Sequence, residues 1–119
     1  MFKYLTRMFK AETELTAEEL QEQVEELGAS VIADLEAGDN AVVHGVVRSI
    51  LRLPVDQDPK FTLEVFDGSG VVNVVFLGRR TVQGIKPGAE IRLVGRITKE
   101  LNVLTIFNPN YTLLRADND

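Results

Sequence analysis

The side chains best placed to do chemistry in this sequence are scattered cations and one misplaced aromatic, not a catalytic constellation. Arg48, Arg79, Arg80, Arg96 and Lys99 are cations that alternation turns outward or that flank turns. Phe66 is the aromatic. It ends the run Phe61-Thr62-Leu63-Glu64-Val65-Phe66 on the face that Thr62 and Glu64 make polar. His44 is the chain's only histidine. A lone histidine on a strand is more often surface or packing than catalytic. No Ser or Cys has a His-carboxylate partnership around it. The acidic pairs Glu18-Glu19 and Glu25-Glu26 fall on the acidic helix, and nothing converges on a His/Asp metal cluster. Gly68-x-Gly70 lies between two strands rather than ahead of a helix, so it is no dinucleotide fingerprint. Neither an enzyme nor a cofactor is expected.

Cations and a flat ring together hold a polyanion that carries flat bases. The charges track the phosphates and the ring stacks. The net charge of −5 argues against such a ligand, but its distribution does not. Residues 1–40 carry three Lys/Arg and ten Asp/Glu, a net −7, whereas residues 41–115 carry ten and six, a net +4. An acidic segment is therefore joined to a mildly basic body, which suits an anionic partner or an acidic segment that folds back on the body. Single-stranded DNA or RNA is the partner this favours; a protein partner on the same face is the alternative. Blander readings stand beside it. Arg79-Arg80 also fits a solvated turn, Phe66 also fits packing beneath the N-terminal helix, and Glu64 on the same face opposes phosphate.

The elements that must position these residues follow from pattern. Thr16 and Glu19 form a capping box, Leu15 and Leu20 a hydrophobic staple, and Gly28 a left-handed stop, which predicts a helix over 16–27. Leu20, Val24 and Leu27 make its apolar stripe. Upstream, Phe2, Leu5 and Phe9 share a helical face that fits a frayed end, a docked helix or a membrane or partner contact. From residue 41 strands dominate. A long first strand (41–53) contains Gly45, which predicts a bend or bulge there. Pro54 and Pro59 bracket a loop. Strands follow at about 60–66, 71–77 and 89–97, with Asp67-Gly68-Ser69-Gly70 as a hairpin turn. Residues 78–88 form a connector with room for one helical turn, and residues 98–102 a polar turn. Residues 103–107 and 111–114 form a fifth strand broken at Asn108-Pro109-Asn110.

The chain has 119 residues, 45% hydrophobic, with no cysteine. That predicts one small core without disulfides or thiolate metal sites. No apolar run approaches the roughly 18 residues of a membrane span, and the N-terminus lacks a signal-peptide core, so a cytoplasmic location is expected. Five strands, the first long and bent, predict a five-stranded Greek-key barrel over 41–115 behind an acidic helical extension over 1–40: the OB fold, whose strands 2–3 and loops 1–2 and 4–5 are the usual binding surface.

Four motifs carry a closer likeness: Phe66-Asp67-Gly68-Ser69-Gly70, Val74-Val75-Phe76-Leu77-Gly78-Arg79-Arg80, Gly84-Ile85-Lys86-Pro87-Gly88 and Asn108-Pro109-Asn110-Tyr111. In this order and spacing, residues 13–115 resemble a family of small actinobacterial OB-fold nucleic-acid-binding proteins. More loosely, they are similar to the OB wedge domain of bacterial branch-migration helicases and the anticodon-binding OB domain of class II aminoacyl-tRNA synthetases. The synthetase likeness implies that bases meet Thr62 and Phe66 on strand 2 and Asn73 and Val75 on strand 3. Thr62 and Val75 stand where those domains can present stacking aromatics, and Phe66 supplies one a step along the strand instead. The helix that plugs many such barrels is reduced here, leaving Val82 and Ile85 to fill the barrel end. His44 and Arg48 on strand 1, Arg79 and Arg80 after strand 3, and Arg96 and Lys99 near loop 4–5 complete the expected surface.

Overall fold

The strand pattern expected from alternation is present in the computed structural model, which describes residues 16–26, 28–51 and 58–115. A helix, α1 (Ala17–Glu26), and a 3₁₀ turn (Ile32–Asp34) precede six strands. These are β1 (Asn40–Leu51), β2 (Lys60–Phe66), β3 (Val71–Leu77), β4 (Glu90–Glu100), β5 (Val103–Phe107) and β6 (Asn110–Arg115). The Phe2/Leu5/Phe9 face, Leu15 and the loop at Pro54 lie outside the described residues, as do the side chains of Val24 and Leu27.

The register closes a ring. β1, β2 and β3 form an antiparallel meander. β3 pairs with β5 in parallel, β5 with β4 antiparallel, and β4 returns to β1. This is the OB topology, closed by the β1–β4 pairing, with β6 added along β4. β5 and β6 are the two halves of the expected broken strand, and both run along β4. The break does work of its own. Asn108, at φ 50°, donates its N–H to the Val75 carbonyl (2.8 Å), and its Oδ1 accepts from the Leu77 N–H (2.9 Å). Asn108 thereby extends the β3–β5 seam past the last ladder pair.

Inside the ring, every second residue is apolar. Phe61, Leu63 and Val65 from β2 meet Val72, Val74 and Phe76 from β3, Val43 and Val47 from β1, Ile91, Leu93 and Ile97 from β4, and Ile106 from β5. Each such side chain contributes about 1.5–3 kcal/mol by leaving water. Phe76 packs edge-on to Tyr111 with ring centroids 5.6 Å apart. Residues 78–88 make turns and no helical turn, because Gly84 and Gly88 both sit at positive φ. Val82 and Ile85 are buried in the core cluster.

Of the bend or bulge expected at Gly45, the bulge falls elsewhere, while the strand changes partner from β4 to β2 beside this glycine. The register slips between Val47 and Ser49, so the bulge lies at Arg48. A Cβ on Gly45 would lie 2.5 Å from the Phe66 carbonyl oxygen and 2.8 Å from Val65 Cγ1. The glycine lets β1 cross close over β2 where it leaves one neighbour for the other.

The N-terminal elements are tied down by named contacts. The Thr16 N–H donates to Glu19 Oε1 (3.0 Å) and the Glu19 N–H to Thr16 Oγ1 (3.1 Å), the reciprocal capping box. Leu20 is buried, α1 packs on β1, and Gly28 at φ 71° supplies the left-handed stop. Thr16→Ala is expected to destabilise α1 by about 1 kcal/mol, visible as faster amide exchange in the helix with the barrel unchanged. Ile32 enters the barrel core. Its turn is bracketed by Asp67, which is fully buried. The Ile32 N–H donates to Asp67 Oδ2 (2.9 Å). Oδ1 accepts from the Ser69 N–H (2.8 Å), the Ser69 hydroxyl (2.7 Å) and the Gly70 N–H (3.1 Å).

Candidate nucleic-acid interface

The bulge on β1 builds the centre of the site. Val46 opposes Phe66, Val47 opposes Val65, and Ser49 opposes Glu64, which leaves Arg48 as the extra, unpaired residue. A bulge re-aims its side chain. Here the Arg48 guanidinium carbon sits 4.7 Å from the centroid of the Phe66 ring. Phe66 is half-buried and Arg48 exposed. The pair is a cation–π contact of about 0.5–1 kcal/mol. It presents a flat, charged layer on top of a flat ring, which is a surface that bases and phosphates can both use.

The register carries the outer face across from there. One rung reads Ser49, Glu64, Asn73, Thr105, and the next Leu51, Thr62, Val75, Phe107. Asn73 and Thr62 are half-buried and reachable. Ser49 Oγ donates to Glu64 Oε1 (3.0 Å), holding that carboxylate on the face. Glu64 is exposed and sits between Phe66 and Thr62 along β2. Its charge repels a phosphate within a Debye length. Glu64→Gln is therefore expected to tighten oligonucleotide binding by about threefold at low salt, and by less as salt rises.

The expected residues do not all share this face. Arg48, Thr62, Phe66 and Asn73 come together on it. Arg79 and Arg80 are exposed just past β3, where Gly78 at φ 81° turns the chain. Arg96 is exposed across from Asn40, on the β1–β4 side of the barrel. Lys99 is exposed on the β4–β5 hairpin. Two expectations are corrected by burial. His44 lies on the outer side of β1, the strand that α1 packs on, yet is 2% exposed, with Nε2 3.5 Å from Glu90 Oε2. It has no surface for a ligand. Val75 is 8% exposed because Phe107 lies beside it in the parallel register and Asn108 bonds its carbonyl.

Phe107 itself is the residue that sequence reasoning missed. It is 40% exposed at the far end of the face from Phe66, with exposed Leu77 beside it, whose N–H donates to the next residue, Asn108. The signal was in the alternation of 103–107: Leu104 and Ile106 turn inward, so Val103, Thr105 and Phe107 turn outward. Strand rise and spacing put Phe66 and Phe107 about 16 Å apart, measured as four residues along and two strands across. No single base spans that distance. A ligand touching both must be a chain.

Comparison with known proteins bears on the fold. No protein-family model matches the chain, and no curated protein sequence does. Solved structures do. The second OB-fold domain of replication protein A from Methanococcus maripaludis is 14% identical, with a TM-score of 0.59, over 76% of this chain and 98% of that one. The p204 HINb domain is 16% identical, with a TM-score of 0.55, over 88% of this chain and 49% of that one. A replication protein A heterotrimer bound to single-stranded DNA is 21% identical, with a TM-score of 0.50, over 78% of this chain and 75% of that one. At these identities the likeness is one of architecture: the chain is an OB-fold barrel.

Proposed function

We propose that this protein is a non-enzymatic module that binds single-stranded nucleic acid, DNA or RNA. The strand lies across the outer face of β1, β2 and β3, with the loop 1–2 and loop 4–5 edges beside it. The observation that carries this reading is Arg48, lifted by its bulge over the Phe66 ring at 4.7 Å. Arg79 and Arg80 follow the phosphates at the β3 end, and Phe107 offers a second stacking surface. Replication protein A, whose OB-fold domains share this architecture, has been seen on single-stranded DNA. Residues 1–40 act as an acidic extension of the 41–115 barrel. The motif likeness supports a place among the small actinobacterial OB-fold proteins, and a nucleic-acid partner fits a cytoplasmic location.

The test is a salt-dependent titration of fluorescent single-stranded DNA, single-stranded RNA and duplex. Affinity for single strands that falls linearly in log salt and exceeds affinity for duplex supports the reading. No binding at low salt overturns it. A second reading has its own observation: Leu77 and Phe107 are exposed apolar side chains at one end of the same face, with Leu51 exposed across the rung. Such a surface also suits a protein partner. Binding that is absent for nucleic acid leaves that reading as the one to pursue.

A further inference from the structure

The β4–β5 hairpin turns through Leu101 at φ 54° and Asn102 at φ 68°. Two left-handed central residues make a type I′ turn, which suits Asn, Asp and Gly. Asn102 fits that rule. Leu101 does not, since in this conformation its Cβ crowds the following carbonyl. Nor does packing offset the strain, because Leu101 is 97% exposed. Burial gives no reason for a leucine here, and backbone strain of this kind clusters at binding and active sites.

We propose that Leu101 is a nucleic-acid contact, an apolar tip that inserts between adjacent bases of the bound single strand. This rests on the single-strand reading of the β1–β3 face. Position supports it. β5 runs parallel to β3, with Asn73 beside Thr105. Continuing that register toward the start of both strands brings Val103 to the Val71 side, the end of the face that carries Phe66. Val103 is itself 39% exposed, so apolar surface runs from the tip onto the face. Charge supports it as well. Lys99 and Glu100 precede the tip with opposite signs, so the tip suits base faces rather than phosphates. Apolar side chains inserted between bases are an established means of separating a stack.

The experiment uses the full chain and a single-stranded oligonucleotide carrying a fluorescent purine analogue whose emission rises on unstacking. Wild type, Leu101→Asn, Leu101→Phe and Phe66→Ala are compared. Wild type is expected to bind and raise emission. Leu101→Asn is expected to lose the emission rise and bind about fivefold more weakly, equivalent to half-burying a leucine side chain. Its melting temperature should hold or increase, because Asn tolerates the left-handed conformation. Leu101→Phe should keep both binding and emission. If Leu101→Asn behaves as wild type while Phe66→Ala binds weakly, the tip is overturned and the face reading stands. Weaker binding with a lower melting temperature also overturns it, since that marks a structural role. No binding by wild type overturns both.

Discussion

Phe66→Ala is expected to weaken single-strand binding by about 1–3 kcal/mol, a loss of about 5- to 150-fold. Phe66 stands outside the core cluster and faces outward, so the barrel should still fold. The effect should therefore sit in affinity rather than melting temperature. The Arg48 guanidinium already covers one side of the ring. A base either stacks on that guanidinium, making a three-layer pile, or displaces it and meets the ring directly. Both arrangements lose their support when the ring goes. The salt dependence separates the two residues. Phe66→Ala should lower affinity at every salt concentration with the slope unchanged. Arg48→Ala should lower the slope in log salt by about 0.7, the value for one phosphate contact on a single strand. The double variant should lose less than the sum of the singles, because the pair acts through one stack. Wild-type affinity in Phe66→Ala, with Arg48→Ala equally unaffected, would show the pair to be a surface ornament of the fold.

The barrel was legible because its strands obey a period of two and its turns carry glycine. Phe61, Leu63 and Val65 are buried where alternation put them, and Val82 and Ile85 belong to the same buried core. The capping box and the Gly28 stop were legible for the same reason: each is a local hydrogen-bonding pattern with a fixed spacing. What stayed hidden was whatever depends on a partner far away in the chain. Alternation turns His44 and Val75 outward correctly, but it cannot say what lies on top of them. Glu90 meets one and Phe107 flanks the other. The bulge shows the same limit. Gly45 marks a close approach, while the register slip falls at Arg48, a residue with no local signature of one. That slip matters most for the site, because it lays the guanidinium over Phe66.

Asp67 carries the largest stability effect expected in the described structure. In sequence it reads as an ordinary turn residue ahead of Gly68. In the fold it is fully buried and its two oxygens accept from opposite sides: Ile32 on Oδ2, and Ser69 and Gly70 on Oδ1. Asp67→Ala strands those donors, of which the Ile32 N–H belongs to a residue 1% exposed. A loss of about 3–4 kcal/mol is expected, since hydrogen bonds to a charged acceptor contribute about 1.5–3 kcal/mol and buried donors left unpaired add a penalty. For a chain of this size that lowers the melting temperature by about 15 °C. Asp67→Asn is the sharper variant. It keeps the shape, but one oxygen becomes an NH₂ group, so a donor must face a donor on one side or the other. About 2 kcal/mol is expected from that conflict alone. Amide exchange should quicken first at Ile32 and Ala33, because Ala33 also depends on this bracket through Ser69 Oγ (3.1 Å). Phe66 immediately precedes Asp67, so a loosened bracket also blurs the Arg48–Phe66 stack. Partial loss of binding should therefore accompany the loss of stability in both variants. If both melt like wild type, the 3₁₀ turn is held by Ile32 packing alone and the carboxylate is dispensable.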